Sequence, residues 1–143
     1  MDQSEIEALV PGAREVVELY GYWPSFHDGE VVCLELNRLG RSRIQVHTFA
    51  MTDEVDGRGY YVIEKHALIS FLLEGVSTLQ LDGFNDQNVI SELGLKKTAD
   101  GFELLLGGCY GIEGRIACAQ LNIEMKLGIP EQSVYGKDAQ AQC

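Results

Sequence analysis

The sequence is poor in positive charge: 11 Lys and Arg stand against 22 Asp and Glu, a formal net charge of -11 at pH 7. That shortage argues against a nucleic-acid or anionic-membrane surface, because both need clustered basic side chains. Its four cysteines, Cys33, Cys109, Cys118 and Cys143, form no C-x-x-C pair. A chain of 143 residues with 45% hydrophobic content does not need a disulfide framework, so reduced thiols of a cytoplasmic protein are expected. No apolar run approaches the ~18 residues that span a bilayer, and Met1-Asp2-Gln3-Ser4-Glu5 has no basic leader pattern. These gaps leave one acidic cytoplasmic domain, soluble by charge and suited to a basic partner.

The remaining residues read as an α+β domain. Ser4 and Glu7 fit a capping box, and Ile6, Leu9, Val10, Ala13, Val16, Val17 and Tyr20 follow at helical spacing up to Gly21. Pro11-Gly12 should kink this helix or split it. Alternation then marks strands over 31–37 and 44–51, joined as an antiparallel hairpin. A charged loop is expected at 52–59. Three strands are expected over 60–64, 67–74 and 76–81, although 65–73 has a composition equally open to helix. The stretch 84–92 reads as a loop or a short helical turn. Two last strands, 102–106 and 115–125, flank four glycines in eight residues, Gly107, Gly108, Gly111 and Gly114. No G-K-[ST] follows, so these glycines suit a bulge rather than a phosphate loop. The expected architecture is an N-terminal kinked helix on a mainly antiparallel sheet of about six or seven strands. A single domain should occupy 1–128, and a poorly ordered tail 129–143.

Chemistry concentrates in Tyr22-Trp23-Pro24-Ser25-Phe26-His27-Asp28-Gly29-Glu30, which holds the only tryptophan and one of three histidines. His27 and Asp28 could form an acid–base pair, but sequence neighbours in extended chain point apart and no nucleophile is marked. A histidine tied to backbone through a buried hydrogen bond is the expected state of His27. The spacings of His27, His47 and His66 match no compact zinc pattern, so the three are expected to be unrelated. Trp23 and Phe26 are expected to pack over the end of the sheet, with an exposed binding cluster as the alternative.

Three stretches in order, 22–31, Leu79-Gln80-Leu81-Asp82-Gly83-Phe84-Asn85-Asp86-Gln87-Asn88-Val89-Ile90, and Cys109-Tyr110-Gly111-Ile112-Glu113-Gly114-Arg115-Ile116-Ala117-Cys118, resemble the immunity protein 50 family of bacterial polymorphic-toxin systems. The resemblance spans roughly residues 16 to 125; Gly29 and Asp86 depart from the alanine and histidine expected there. It implies a bacterial cytoplasmic protein that binds and blocks a cognate toxin, with no catalysis and no cofactor. The positions it carries as a binding or structural motif are Trp23, Phe26, His27, Asp28, Glu30, Asn85, Asn88, Tyr110 and Glu113. Such toxins include nucleases with basic clefts, which the acidic charge would complement. Asp53, Glu54, Asp56, Asp82 and Asp86 are therefore candidates for an acidic interface, against the plainer reading of a solvated face. Two other classes stay open at this point: a small enzyme using a His27/Asp28 acid–base or metal site, and a homo-oligomeric adaptor.

Overall fold

The computed structural model describes residues 1–135. Two helices open the chain, α1 over Gln3–Leu9 and α2 over Ala13–Tyr20. The expected kinked helix is thus two pieces, and its N-cap is Asp2, whose side chain accepts from Glu5 N at 2.9 Å, rather than Ser4. The break at Pro11-Gly12 is put to use. Pro11 O accepts from Ile123 N at 2.8 Å, so the interrupted backbone docks on the last strand. Gly12 sits at φ 90°, where a Cβ would strike the Ile123 carbonyl, and only glycine allows this approach. The apolar stripe survives the break: Ile6, Val10, Ala13, Val16 and Tyr20 all enter the core.

Eight strands follow: β1 Glu30–Glu35, β2 Arg41–Val55, β3 Tyr61–Glu74, β4 Thr78–Asp82, β5 Val89–Thr98, β6 Gly101–Tyr110, β7 Glu113–Cys118 and β8 Gln120–Leu127. All their pairings are antiparallel, in the order β4-β7-β6-β5-β1-β2-β3-β8. The protein is therefore mainly antiparallel sheet with helix confined to the N-terminus, as expected, but with eight described strands rather than six or seven.

Three features account for the difference. Residues 61–74 form one strand because Lys65, at φ 56°, bulges out where the register to β2 shifts between Thr48 and Ala50. The stretch read as a loop turns into β5 at Val89, with register shifts on either side of Ile90. One of these shifts sets Glu92 against Gly107, next after Ile90 against Gly108, as a bulge at Ser91 requires. The expected last strand is cut at Ala119, whose N–H donates to both Glu74 O (2.9 Å) and Gly75 O (3.1 Å). Charged residues 52–55 lie within β2, so the expected loop shrinks to a turn centred on Asp56, which accepts from Arg58 N and Tyr60 N.

β7 and β8 belong near opposite margins of the strand order yet are joined by a single residue, so the sheet must curl on itself. Its concave side and the helices enclose one core that includes Phe26, Ile44, Ile69, Phe71, Leu104, Ile116 and Ile123. Cys33, Cys109 and Cys118 are free thiols. Among the described residues no helix is long and apolar enough to cross a membrane. Residues 129–135 fold back so that Ser133 is buried, while the remainder of the expected tail, 136–143, lies outside the described residues.

Candidate functional site

The three motif stretches converge where β1 meets β5. Residues 25–31 run antiparallel to 88–93 through Val31 N to Asn88 O, Ile90 N to Gly29 O, Asp28 N to Ile90 O and Leu93 N to Ser25 O, all 2.9–3.0 Å. Asn88 is buried at φ 47°, a conformation asparagine tolerates well among residues with a side chain. Its Oδ1 accepts from Asn85 N at 2.9 Å and from Ile112 N at 3.3 Å, which ties the second stretch to the third. Asn85 Oδ1 accepts in turn from Gln87 N and Asn88 N. A Cβ on Gly111 would strike Asn85 Oδ1, so the corner closes only over glycine.

The motif residues divide by burial. Phe26 is 1% exposed and packs edge-on to Trp23 and to Phe71, each at 5.6 Å between ring centroids. Its neighbour His27 points outward. His27 Nδ1 donates to Ser91 O at 3.0 Å and Nε2 lies 3.5 Å from Asp28 Oδ2, both in solvent rather than in the buried setting expected. Tyr110 and Glu113 are exposed, and Glu113 stands directly opposite Asp82 across the β4–β7 ladder. Asp53, Glu54 and Asp86 are exposed; Asp56 is committed to its turn, where backbone hydrogen bonds from Arg58 and Tyr60 hold its carboxyl below the usual range. Asp53 and Glu54 lie on β2 and Asp82 on β4, with four strands between them in the sheet order, while Asp86 lies in the β4–β5 connection.

Glu30, the last motif residue of the first stretch, leads inward. Its Oε1 lies 2.6 Å from His47 Nδ1, and His47 Nε2 lies 2.9 Å from His66 Nδ1. Ser133 Oγ donates to the same Oε1 at 2.5 Å, and Val134 N donates to Oε2 at 3.0 Å. His47 is fully buried and Glu30 only 5% exposed. Burial pushes the Glu30 carboxyl up, but hydrogen bonds from His47, Ser133 and Val134 outweigh it and hold the group below its ordinary value. An ionised Glu30 accepts from His47 Nδ1–H. One proton is shared between His47 Nε2 and His66 Nδ1 at the inner contact, and His66 Nε2 is the outer end of the chain. Burial first, then the neighbouring His47, holds His66 below its ordinary pKa despite the opposing pull of Glu30. Phe49, His66 and Tyr135 pack together around this end, with centroids 5.6–6.2 Å apart.

A family model, immunity protein 50, matches residues 12–126. The chain belongs to the immunity protein 50 family. No curated protein and no solved structure matches it. The family match covers the three motif stretches and the whole Glu30–His47–His66 chain; the Ser133 segment that completes it lies beyond residue 126.

Sequence reasoning named Glu30 but took His47 and His66 as unrelated, and gave Ser133 and Tyr135 no role. The two histidines meet because the β2–β3 ladder sets His47 opposite Leu68, two residues from His66 on the same strand face. Reading 44–74 as one long hairpin is the signal that would have paired them. No group of three or more His, Cys, Asp or Glu among the described residues is arranged to hold a metal ion.

Acid should loosen this fold in two steps. The unfolded chain protonates His66 near its ordinary 6.5 while the folded chain resists, so stability falls as pH drops through that value. Glu30 adds a second loss as pH falls below its ordinary 4.5 toward its lower folded value. Urea midpoints taken from about pH 8 to pH 5 should decline below about 6.5, and His66→Asn should flatten that decline. Parallel curves for the two proteins would remove His66 from the account.

Proposed function

We propose that this chain neutralises a cognate toxin by direct binding, without catalysis or cofactor, using exposed acidic groups to speed encounter. Membership of the immunity protein 50 family over residues 12–126 is the observation that carries this reading. The charge of -11 supports its electrostatic half, and so does the exposure of Asp53, Glu54, Asp82 and Asp86. A basic toxin surface, such as a nuclease cleft, is the complement such a field steers toward the protein. The non-catalytic half is supported by the commitments of the polar groups. Ser133 Oγ is bonded to Glu30, the Glu30 carboxylate accepts from three donors, and among the described residues no hydroxyl or thiol is bonded to the side chains of His27 and Asp28. A cytoplasmic setting, where a toxin would be met on entry or synthesis, completes the reading.

Co-expression with the C-terminal domain of a toxin encoded by a neighbouring gene, once one is found there, should restore growth. In surface-plasmon measurements the association rate should fall several-fold as salt shortens the Debye length toward and below about 8 Å, with dissociation changing less. Equal killing with and without this protein, or no binding at low salt, defeats the proposal.

A further inference from the structure

The outer half of the β2–β3 hairpin, Asp28 of the 25–29 turn and the returning 129–135 segment line an open cavity of about 700 Å3, to which the motif stretches contribute Asp28 alone among the described residues. Phe49, His66 and Tyr135 line it, and the half-exposed Met51, Tyr60 and Tyr61 form its outer wall. Asp28 and Asp56 supply carboxylates there and Arg58 a single guanidinium. Counting buried Glu30 behind His47, the site carries three acids against one base. The surplus reaches its wall: burial, then the charges of Glu30 and Asp28, push the Tyr135 phenol up. His66 Nδ1 is occupied by His47, and Nε2 takes no partner among the described residues.

Aromatic faces, a carboxylate held at the rim and an imidazole nitrogen with no partner among the described residues are together chemistry that can receive a cation. The rim already receives one. Arg58 lies over the Tyr60 ring at 5.9 Å with Asp56 Oδ2 3.8 Å away, an intramolecular example of guanidinium held between ring and acid. Aspartate can stand at Asp28 because φ 62° suits Asp and Asn better than most side chains, so the turn places a carboxylate at the cavity wall, its Oδ2 3.5 Å from His27 Nε2.

We propose that this cavity seats an arginine side chain presented by the toxin, its guanidinium against Asp28 and His66 Nε2 and its plane on Tyr61 or Tyr135. The assignment rests on the immunity reading for its partner, but the seat itself can be tested without any toxin. The groups facing His66 are His47 and, behind it, Glu30 from β1, Tyr135 from the returning segment, Asp28 from the turn, and Asp56 and Arg58 from the hairpin end.

The probe is N-acetyl-arginine methylamide, added to the full chain and followed by NMR of the His66, Tyr61 and Tyr135 rings, with the citrulline analogue as neutral control. The arginine probe should give saturable shifts in these rings and the citrulline probe none. Asp28→Asn, which keeps a side chain suited to the same φ, and Tyr61→Ala, on a mostly exposed side chain, should each weaken binding by about fivefold or more. The same two substitutions should weaken toxin binding while Asp100→Asn, at an exposed acid of the β5–β6 turn, does not. No shift, equal shifts with citrulline, or unchanged affinity in both variants overturns the seat, even if the toxin is still neutralised. A protein that seats the probe but does not bind the toxin overturns the immunity reading and the assignment of the arginine to a toxin.

Discussion

Replacing Glu30 by Ala is expected to lower the unfolding free energy by about 3–5 kcal/mol, the usual cost of stranding the partner of a buried charged group. His47 Nδ1, the Ser133 hydroxyl and Val134 N all donate to this carboxylate, and His47 and Ser133 are buried. Water cannot readily replace the lost acceptor for a histidine with no exposed surface. Glu30→Gln should cost less, about 1–3 kcal/mol, because the amide oxygen keeps one acceptor while its NH2 faces donors. A second readout separates this from generic core damage. Ser133 and Val134 are held by Glu30, so amide exchange at Val134 and Tyr135 should accelerate in Glu30→Gln more than exchange in β6, on the far half of the sheet. Urea unfolding with a loss below about 1 kcal/mol for Glu30→Ala, or uniform exchange, would show that the carboxylate does not hold the returning segment.

That segment illustrates what a sequence hides. Ile129-Pro130-Glu131 onward has no periodicity, so nothing local predicts that Ser133 reaches a carboxylate 103 positions earlier in the chain. The N-terminal stripe was legible because its side chains recur every third or fourth residue, and the break at Pro11-Gly12 was legible because proline cannot continue a helix. The β1–β2 hairpin was legible for the same kind of reason: strict alternation pairs Leu34 with Ile44. β5 was not, since register shifts on either side of Ile90 put Ile90 and Leu93, three apart, both in the core and erase the period of two. Lys65 splits β3 into the two shorter strands expected over 60–64 and 67–74. Bulges are tertiary features, and here they cost a sequence reader one strand, β5, and the continuity of another, β3. The pairing of His47 with His66 sat inside the longest hairpin and was lost with it.

The motif stretch itself shows why recurring residues need not be contacts for a partner. Phe26 and His27 are adjacent, and the structure predicts opposite outcomes for their removal. Phe26→Ala should cost about 3–5 kcal/mol, the usual range for emptying a buried phenylalanine site. The ring is 1% exposed, sits edge-on between Trp23 and Phe71, and belongs to the core shared by helices and sheet. The site cannot easily collapse, because Gly29 N and Phe26 O close the turn at 3.0 Å and the following amides are stitched to β5. His27→Ala should stay within about 0.5 kcal/mol of wild type, since its bond to Ser91 O and its contact with Asp28 both lie in solvent. Paired urea titrations of the two variants decide it. If Phe26→Ala costs under about 1 kcal/mol while His27→Ala costs several, the turn is organised by the imidazole rather than by the buried ring, and His27 returns as the structural centre of the motif.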